Sequence, residues 1–296
     1  MRRKLVKQGA ATMMVSLPSE WIKGQRLKKG DEVEITESDE TLLINTTKKG
    51  AIALKKEIKI PTPSDYMSRL IDIPYVQGYD EIIINFDDAK VMDLIVKTAE
   101  RFLGMDVINQ TSTSCTLKNI AEAMEKEFEN IFRRLFLLVK SMAEDSLKAA
   151  QEKDYEKLKN ISDLERMCHK YALFCMRMLN KYGYKNEKED YYIFYTIYVL
   201  EQISDHYSRI CTRIAETKEK IEPDMLAFFK DVAALTEEYY QCFYKRDLKG
   251  ILSMREHIEK MHKKSRNALE SKKNVYLLRY LDCVLEKITH LSHFLV

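Results

Sequence analysis

Glu201 and Asp205 stand four residues apart in the stretch Leu200-Glu201-Gln202-Ile203-Ser204-Asp205-His206. On a helix, that spacing brings both carboxylates to one face. Like charges so placed repel each other unless a cation or a base lies between them. Glu286 and His290 repeat the spacing with an imidazole in the second position, and all six histidines lie at or after residue 169. Carboxylate and imidazole donors suit Fe, Mn, Zn or Mg. A solvated helix face with Lys or Arg partners accounts for the same pattern, and spacing alone favours it.

Other chemistries find little footing. A carboxylate-bundle metalloenzyme needs Glu-x-x-His on two facing helices. Glu259-Lys260-Met261-His262 supplies one. There is no Walker A or Gly-x-Gly-x-x-Gly loop for a nucleotide, and no nucleophile beside a base. The expectation is a protein that is not an enzyme. Cys115, Cys168, Cys175, Cys211, Cys242 and Cys283 are scattered, never Cys-x-x-Cys, and read as small buried hydrophobes in a reducing cytosol.

A second chemistry concerns polyanions. The 296 residues carry a net charge of only +3, yet residues 1–30 alone carry +7. Arg2, Arg3, Lys4, Lys7, Lys23 and Arg26 are the candidate contacts to double-stranded DNA, Lys neutralising phosphate and Arg able to read guanine. A basic end without an apolar stretch behind it is no signal peptide, and no apolar run is long enough to span a membrane. A cytoplasmic protein without membrane insertion is expected.

The elements that must position these groups follow from helix breakers and periodicity. Four of the five prolines fall in the first quarter, and no glycine lies between Gly104 and Gly183. Six helices are expected near 119–151, 154–182, 188–218, 223–245, 248–271 and 273–295, with Pro223 in the first turn of the fourth. Phe128, Ile131, Phe132, Leu135, Leu138, Val139 and Met142 recur at helical spacing, as a bundle core requires. Earlier in the chain, Glu32–Glu37 alternates with period two and pairs as a hairpin with Thr41–Asn45 across Ser38-Asp39-Glu40. Pro18–Lys23 reads as a short helix. Between these halves, a helix from Ser64 to Val76, a strand Glu81–Phe86, a helix Ala89–Leu103 and a strand from Val107 suggest a small α/β unit.

About 45 residues bury too little surface to fold alone, so the basic segment needs a second chain. Arg3-Lys4-Leu5-Val6-Lys7-Gln8-Gly9, Leu17-Pro18-Ser19-Glu20-Trp21 and Lys28-Lys29-Gly30-Asp31-Glu32-Val33 resemble the AbrB/MazE/SpoVT swapped-hairpin family. The resemblance implies a barrel-like dimer interleaved from two chains that docks on DNA. Ala10-Ala11-Thr12 stands where bacterial relatives often have Arg after the glycine.

The helical part contains a repeat. Leu200–His206 answers to Leu285-Glu286-Lys287-Ile288-Thr289-His290, and Leu164-Glu165-Arg166-Met167 to Ile258-Glu259-Lys260-Met261. Leu-Glu-x-Ile-x-Asp-His on the third helix of a tandem three-helix repeat is similar to PhoU, the phosphate-uptake regulator family. That resemblance implies metal sites on the bundle surface. It adds Asp163, Glu165 and Glu259 to Glu201, Asp205, Glu286 and His290 as ligands, although Ile161 and Arg255 stand where the family has a further acid. The stretches Tyr75–Ile84 and Phe102–Ile108 are similar to the connector of archaeal proteins that join the two modules.

The expected fold is multidomain α+β, with a swapped-hairpin domain at 1–48 and an α/β connector at 49–118. PhoU-like three-helix repeats at 119–218 and 219–296 complete it. The expected function is a homodimeric, DNA-binding regulator of phosphate uptake. Its alternative acts on a phosphate transporter ATPase or a signalling kinase, with the hairpin only dimerising.

Overall fold

The computed structural model describes residues 1–38, 41–46, 53–121, 124–184, 187–270 and 273–295. The chain divides into two compact units, Met1–Lys55 and Lys56–Val296.

The first unit consists of two antiparallel hairpins around a short helix. Strand β1 (Val6–Gln8) pairs with β2 (Thr12–Met14), placing Lys7 opposite Met13. Helix α1 (Ser19–Gly24) follows Pro18, whose extended backbone sits just before the first turn. The Lys28–Asp31 turn is closed by Asp31 N–H donating to the Lys28 carbonyl at 3.1 Å. It leads into β3 (Val33–Ser38), which pairs with β4 (Thr41–Thr46) with Ile35 opposite Ile44. The expected hairpin is present; the Asp39-Glu40 tip lies outside the described residues, as does the expected boundary at 48/49. No residue of this unit whose burial is described is buried within the single chain. Ile35 is 59% exposed and Leu42 65%. An isolated hairpin is marginal in water, and these strands display exposed apolar side chains.

The second unit opens with a four-stranded sheet in the order β5-β6-β8-β7, built from β5 (Lys55–Ile60), β6 (Glu81–Phe86), β7 (Met105–Gln110) and β8 (Ser114–Asn119). Strand β8 is antiparallel to both β6 and β7, so the latter two run parallel, joined by α3 (Val91–Ala99) in a split β-α-β. The apolar strand Glu81–Phe86 appears as expected, burying Ile82, Ile84 and Phe86 on alternate positions.

Several boundaries differ from expectation. Residues 114–119 are strand, with Cys115 and Leu117 buried at period two, so the first long helix does not begin at 119 but is α4 (Phe128–Glu152). The helix expected from Ser64 is a 3-10 turn (Asp65–Ser68) followed by α2 (Arg69–Val76), and Ser64 makes no side-chain cap. Helix α3 is shorter than 89–103: Asp88 starts it by accepting from the Lys90 N–H, and tight turns through Ala99–Phe102 end it.

The remaining helices are α5 (Tyr155–Asp163), α6 (Glu165–Tyr182), α7 (Glu187–Thr217), α8 (Pro223–Lys245), α9 (Leu248–Glu270) and α10 (Val275–Ser292). The single helix expected over 154–182 is interrupted at Leu164. There the bonds Leu164 N–H to Ile161 carbonyl and Met167 N–H to Leu164 carbonyl span three residues rather than four. Helix α7 packs on α4, α5, α6 and α10, while α8 packs on α4, α9 and α10. One apolar core runs through all seven helices from α4 to α10, as the Phe128–Met142 stripe and Ile193, Ile197, Leu200, Ile203 and Tyr207 require.

Helix α6 also fastens the α/β layer. Leu173 belongs to that layer's core together with Ile71, Tyr75 and Ile95. Arg177, 2% exposed, donates to the carbonyls of Tyr75 and Tyr79 and pairs with Asp80. Asn180 donates to the Val76 carbonyl, and Lys181 pairs with Asp80. Gly78 turns at φ +89°, a conformation that favours glycine, and Lys181 Cβ lies 3.1 Å from where a Cβ would stand, so a side chain there would also press on its neighbour.

Candidate functional site

The six basic candidates Arg2, Arg3, Lys4, Lys7, Lys23 and Arg26 are all exposed. The first three precede β1, Lys7 lies in it, Lys23 is in the last turn of α1, and Arg26 follows that helix in the left-handed region at φ +52°. The chain thus offers exposed cations on a unit in which no residue of described burial is buried. Phosphate recognition needs such cations, and a two-fold arrangement would double them.

The second site lies in the helical part. The interruption at Leu164 makes Glu165 the first residue of α6, with His169 one turn later on the same face. Glu201, on α7, faces them: His169 Nδ1 lies 3.0 Å from Glu201 Oε1. Ligand atoms of Glu165, His169 and Glu201 all come within 4.8 Å of one another, and each residue is half-buried. Burial raises the Glu165 carboxyl above its ordinary range, reinforced by the charges of Glu201 and Asp205. At His169, burial works against the charged ring, but the bond and charge of Glu201, with help from Asp72, leave the imidazole raised.

The other expected ligands sit elsewhere. Asp205 turns to Arg209, with ion-pair contacts of 2.9 and 3.1 Å. Asp163 is exposed and pairs with Arg166 at 3.2 Å. In the second repeat, Glu286 lies 3.9 Å from both His262 Nδ1 and His290 Nε2, a looser grouping. His262 Nε2 instead contacts the Thr289 hydroxyl at 3.0 Å, and Glu259 is exposed on α9. Of the seven expected ligands, Glu165 and Glu201 come together. His169 was missed. Its signal is the i, i+4 pair Glu165-x-x-x-His169, found by looking four residues after the glutamate rather than four before.

The donor set fits a divalent transition ion. One imidazole and two carboxylates on two helices match Zn, Mn or Fe better than the all-oxygen preference of Mg. His169 Nε2 is buried with no hydrogen-bond partner, so the ring has a nitrogen to spare. The cysteines take no part: Cys168, beside the cluster in sequence, is buried, and desolvation pushes its thiol up to about 12.

Residues 6–53 match the family described as antidote-toxin recognition MazE, bacterial antitoxin. The N-terminal unit is MazE/AbrB-like. The chain is also similar to a crystal structure of the phosphate transport system regulatory protein PhoU from Streptococcus pneumoniae. The two are 16% identical over 58% of this chain and 93% of that one, with a TM-score of 0.45. No curated protein matches the chain in sequence. Among the described residues, no helix is long and apolar enough to cross a membrane.

Proposed function

We propose that this protein is a DNA-binding regulator of phosphate uptake that acts as a homodimer and is not an enzyme. The observation that carries the reading is the N-terminal unit itself. It matches a MazE-type family, buries none of its residues of described burial within one chain and exposes the basic candidates Arg2, Arg3, Lys4, Lys7, Lys23 and Arg26. Pairing two copies would cover Ile35, Leu42 and their neighbours and set the two basic arms in two-fold relation, as a pseudo-palindromic site needs. The phosphate assignment rests on the Leu200–His206 motif and its second copy, which resemble PhoU.

The helical part is the sensing element in this reading. Glu165, His169 and Glu201 would hold a divalent cation, whose positive charge would make this part of the bundle attractive to phosphate or an acidic partner. A transporter ATPase or a signalling kinase is a candidate for that partner.

Binding of fluorescent duplex DNA from upstream of phosphate-transport genes tests the reading. Affinity should fall steeply with salt, and Arg2→Ala with Arg3→Ala and Lys4→Ala should weaken it and flatten the salt slope by about one per lost contact. An intact dimer with no affinity for any such duplex at low salt would favour the second reading, in which the hairpins only join two chains.

A further inference from the structure

The ring nitrogen of His169 that faces away from Glu201 is buried and bonds to nothing, yet a histidine bound to a metal almost always gives its second N–H to a carboxylate, carbonyl or water. If Nδ1 joins Glu165 and Glu201 in holding a cation, Nε2 carries the proton and needs an acceptor. Three carboxylates act on the His169 ring: Glu165 and Glu201, which are the cation's ligands, and Asp72. Asp72 does not come from the bundle. It lies in the first turn of α2, on the α/β layer packed against α6.

The layer is held to the bundle beside this ring. Lys170, the residue after His169, donates to the carbonyl of Glu100, the residue before Arg101, at 2.7 Å. Arg101 in turn holds Asp72, with one bond at 3.1 Å and one stretched to 3.5 Å, while its own Nε is buried without a partner. Asp72 is 15% exposed, so its charge is poorly solvated and depends on the company it keeps. The Arg101–Asp72 pair and the spare nitrogen of His169 are thus incompletely satisfied groups at one α2–α6 contact, and Asp72 is the carboxylate outside the cation's ligands whose charge acts on the ring.

We propose that Asp72 is the positioning residue of the Glu165–His169–Glu201 cation site, accepting the Nε2 proton of His169 when the ion is held and giving up part of its bond to Arg101. Cation binding on the bundle would then be registered in the α/β layer, through α2. The inference rests on the reading that this cluster binds a divalent ion, and its test separates the two.

Zn²⁺ is titrated calorimetrically into the full chain and into Asp72→Asn, Asp72→Glu and Arg101→Met. The site is identified as the one lost in a Glu165→Gln, Glu201→Gln double variant. Amide exchange of α2 is followed with and without Zn²⁺. Asp72→Asn should weaken Zn²⁺ binding about 10- to 100-fold at unchanged stoichiometry, and Asp72→Glu should restore most of it. Arg101→Met, which frees Asp72, should bind at least as tightly as the wild type, and Zn²⁺ should slow exchange in α2 of the wild type but not of Asp72→Asn. If the wild type binds Zn²⁺ at this site and Asp72→Asn binds it equally well, the role of Asp72 is overturned while the cation reading stands. Weaker binding by Arg101→Met also overturns it. If the wild type takes up no Zn²⁺ that the double variant loses, the cation reading fails and the inference with it.

Discussion

Arg177 grips Tyr75 in two ways: its guanidinium lies 5.0 Å from the centre of the tyrosine ring and donates to the same residue's carbonyl at 2.8 Å. Tyr75 passes the connection on. Its ring stacks on Phe102 at 4.1 Å, and its hydroxyl donates to the Leu103 carbonyl. A charge on the bundle is thereby tied to the helix and the strand connection of the α/β layer.

Replacing Arg177 with Met should therefore cost far more than an ordinary surface change. The carbonyls of Tyr75 and Tyr79 would lose this donor in a site closed to water, and Asp80 would lose the guanidinium beside it. A loss of about 3 kcal/mol or more is expected, read as a lowered urea midpoint. A midpoint within experimental error of the wild type would show that the layer is held by apolar packing alone.

Leu42→Asp addresses the first unit. The side chain is 65% exposed in one chain, so a monomeric unit should tolerate the change. If two chains bury this strand against each other, the carboxylate is forced into their interface at a cost of several kcal/mol. Sedimentation should show a shift from dimer to monomer, with loss of DNA binding at the same protein concentration.

Cation removal should be visible in stability. An ion that binds only the folded chain adds about 2.7 kcal/mol at a hundredfold excess over its dissociation constant. Zn²⁺ should raise the melting temperature of the wild type and EDTA should reverse it. Glu165→Gln should remove the response. In EDTA this variant should melt no lower than the wild type, since burial and the nearby Glu201 and Asp205 charges disfavour the ionised Glu165.

Asp145 gives the acid limb of the pH profile. Burial pushes its carboxyl up, but hydrogen bonds from Ser141 and Lys157, with the lysine charge, outweigh that and leave it below the ordinary value of 3.8. A depressed folded value means that ionised Asp145 stabilises above the unfolded value and loses that contribution as pH falls through the folded one. Asp145→Asn should be less stable than the wild type at pH 7, and the gap should close below about pH 4. Urea unfolding at the two pH values measures it.

Much of the architecture was legible from patterns of one residue type. The bundle core repeats at helical spacing over Phe128–Met142, and Pro223 marks the start of α8. Strand β6 announces itself by Ile82-Ile83-Ile84. Strand β8 did not, because Ser114-Cys115-Thr116-Leu117 has two modest apolar residues and becomes a strand by pairing with β6 and β7 on either side. The break at Leu164 was equally hidden: nothing in Asp163-Leu164-Glu165 forbids helix, and only the local bonding pattern interrupts it.

Local sequence thus determined the charge placement, the helical periods and the four-residue spacing of Glu201 and Asp205 on one helix, since each depends on neighbours within a few residues. The grouping at the candidate cation site was decided by tertiary structure. Asp205 satisfies its charge with Arg209 on its own helix, and Glu201 meets His169 across the α6–α7 contact. Periodicity reports the face from which a side chain leaves its helix. Which charge it meets depends on the packing of elements up to a hundred residues apart, where burial makes an unpaired charge costly.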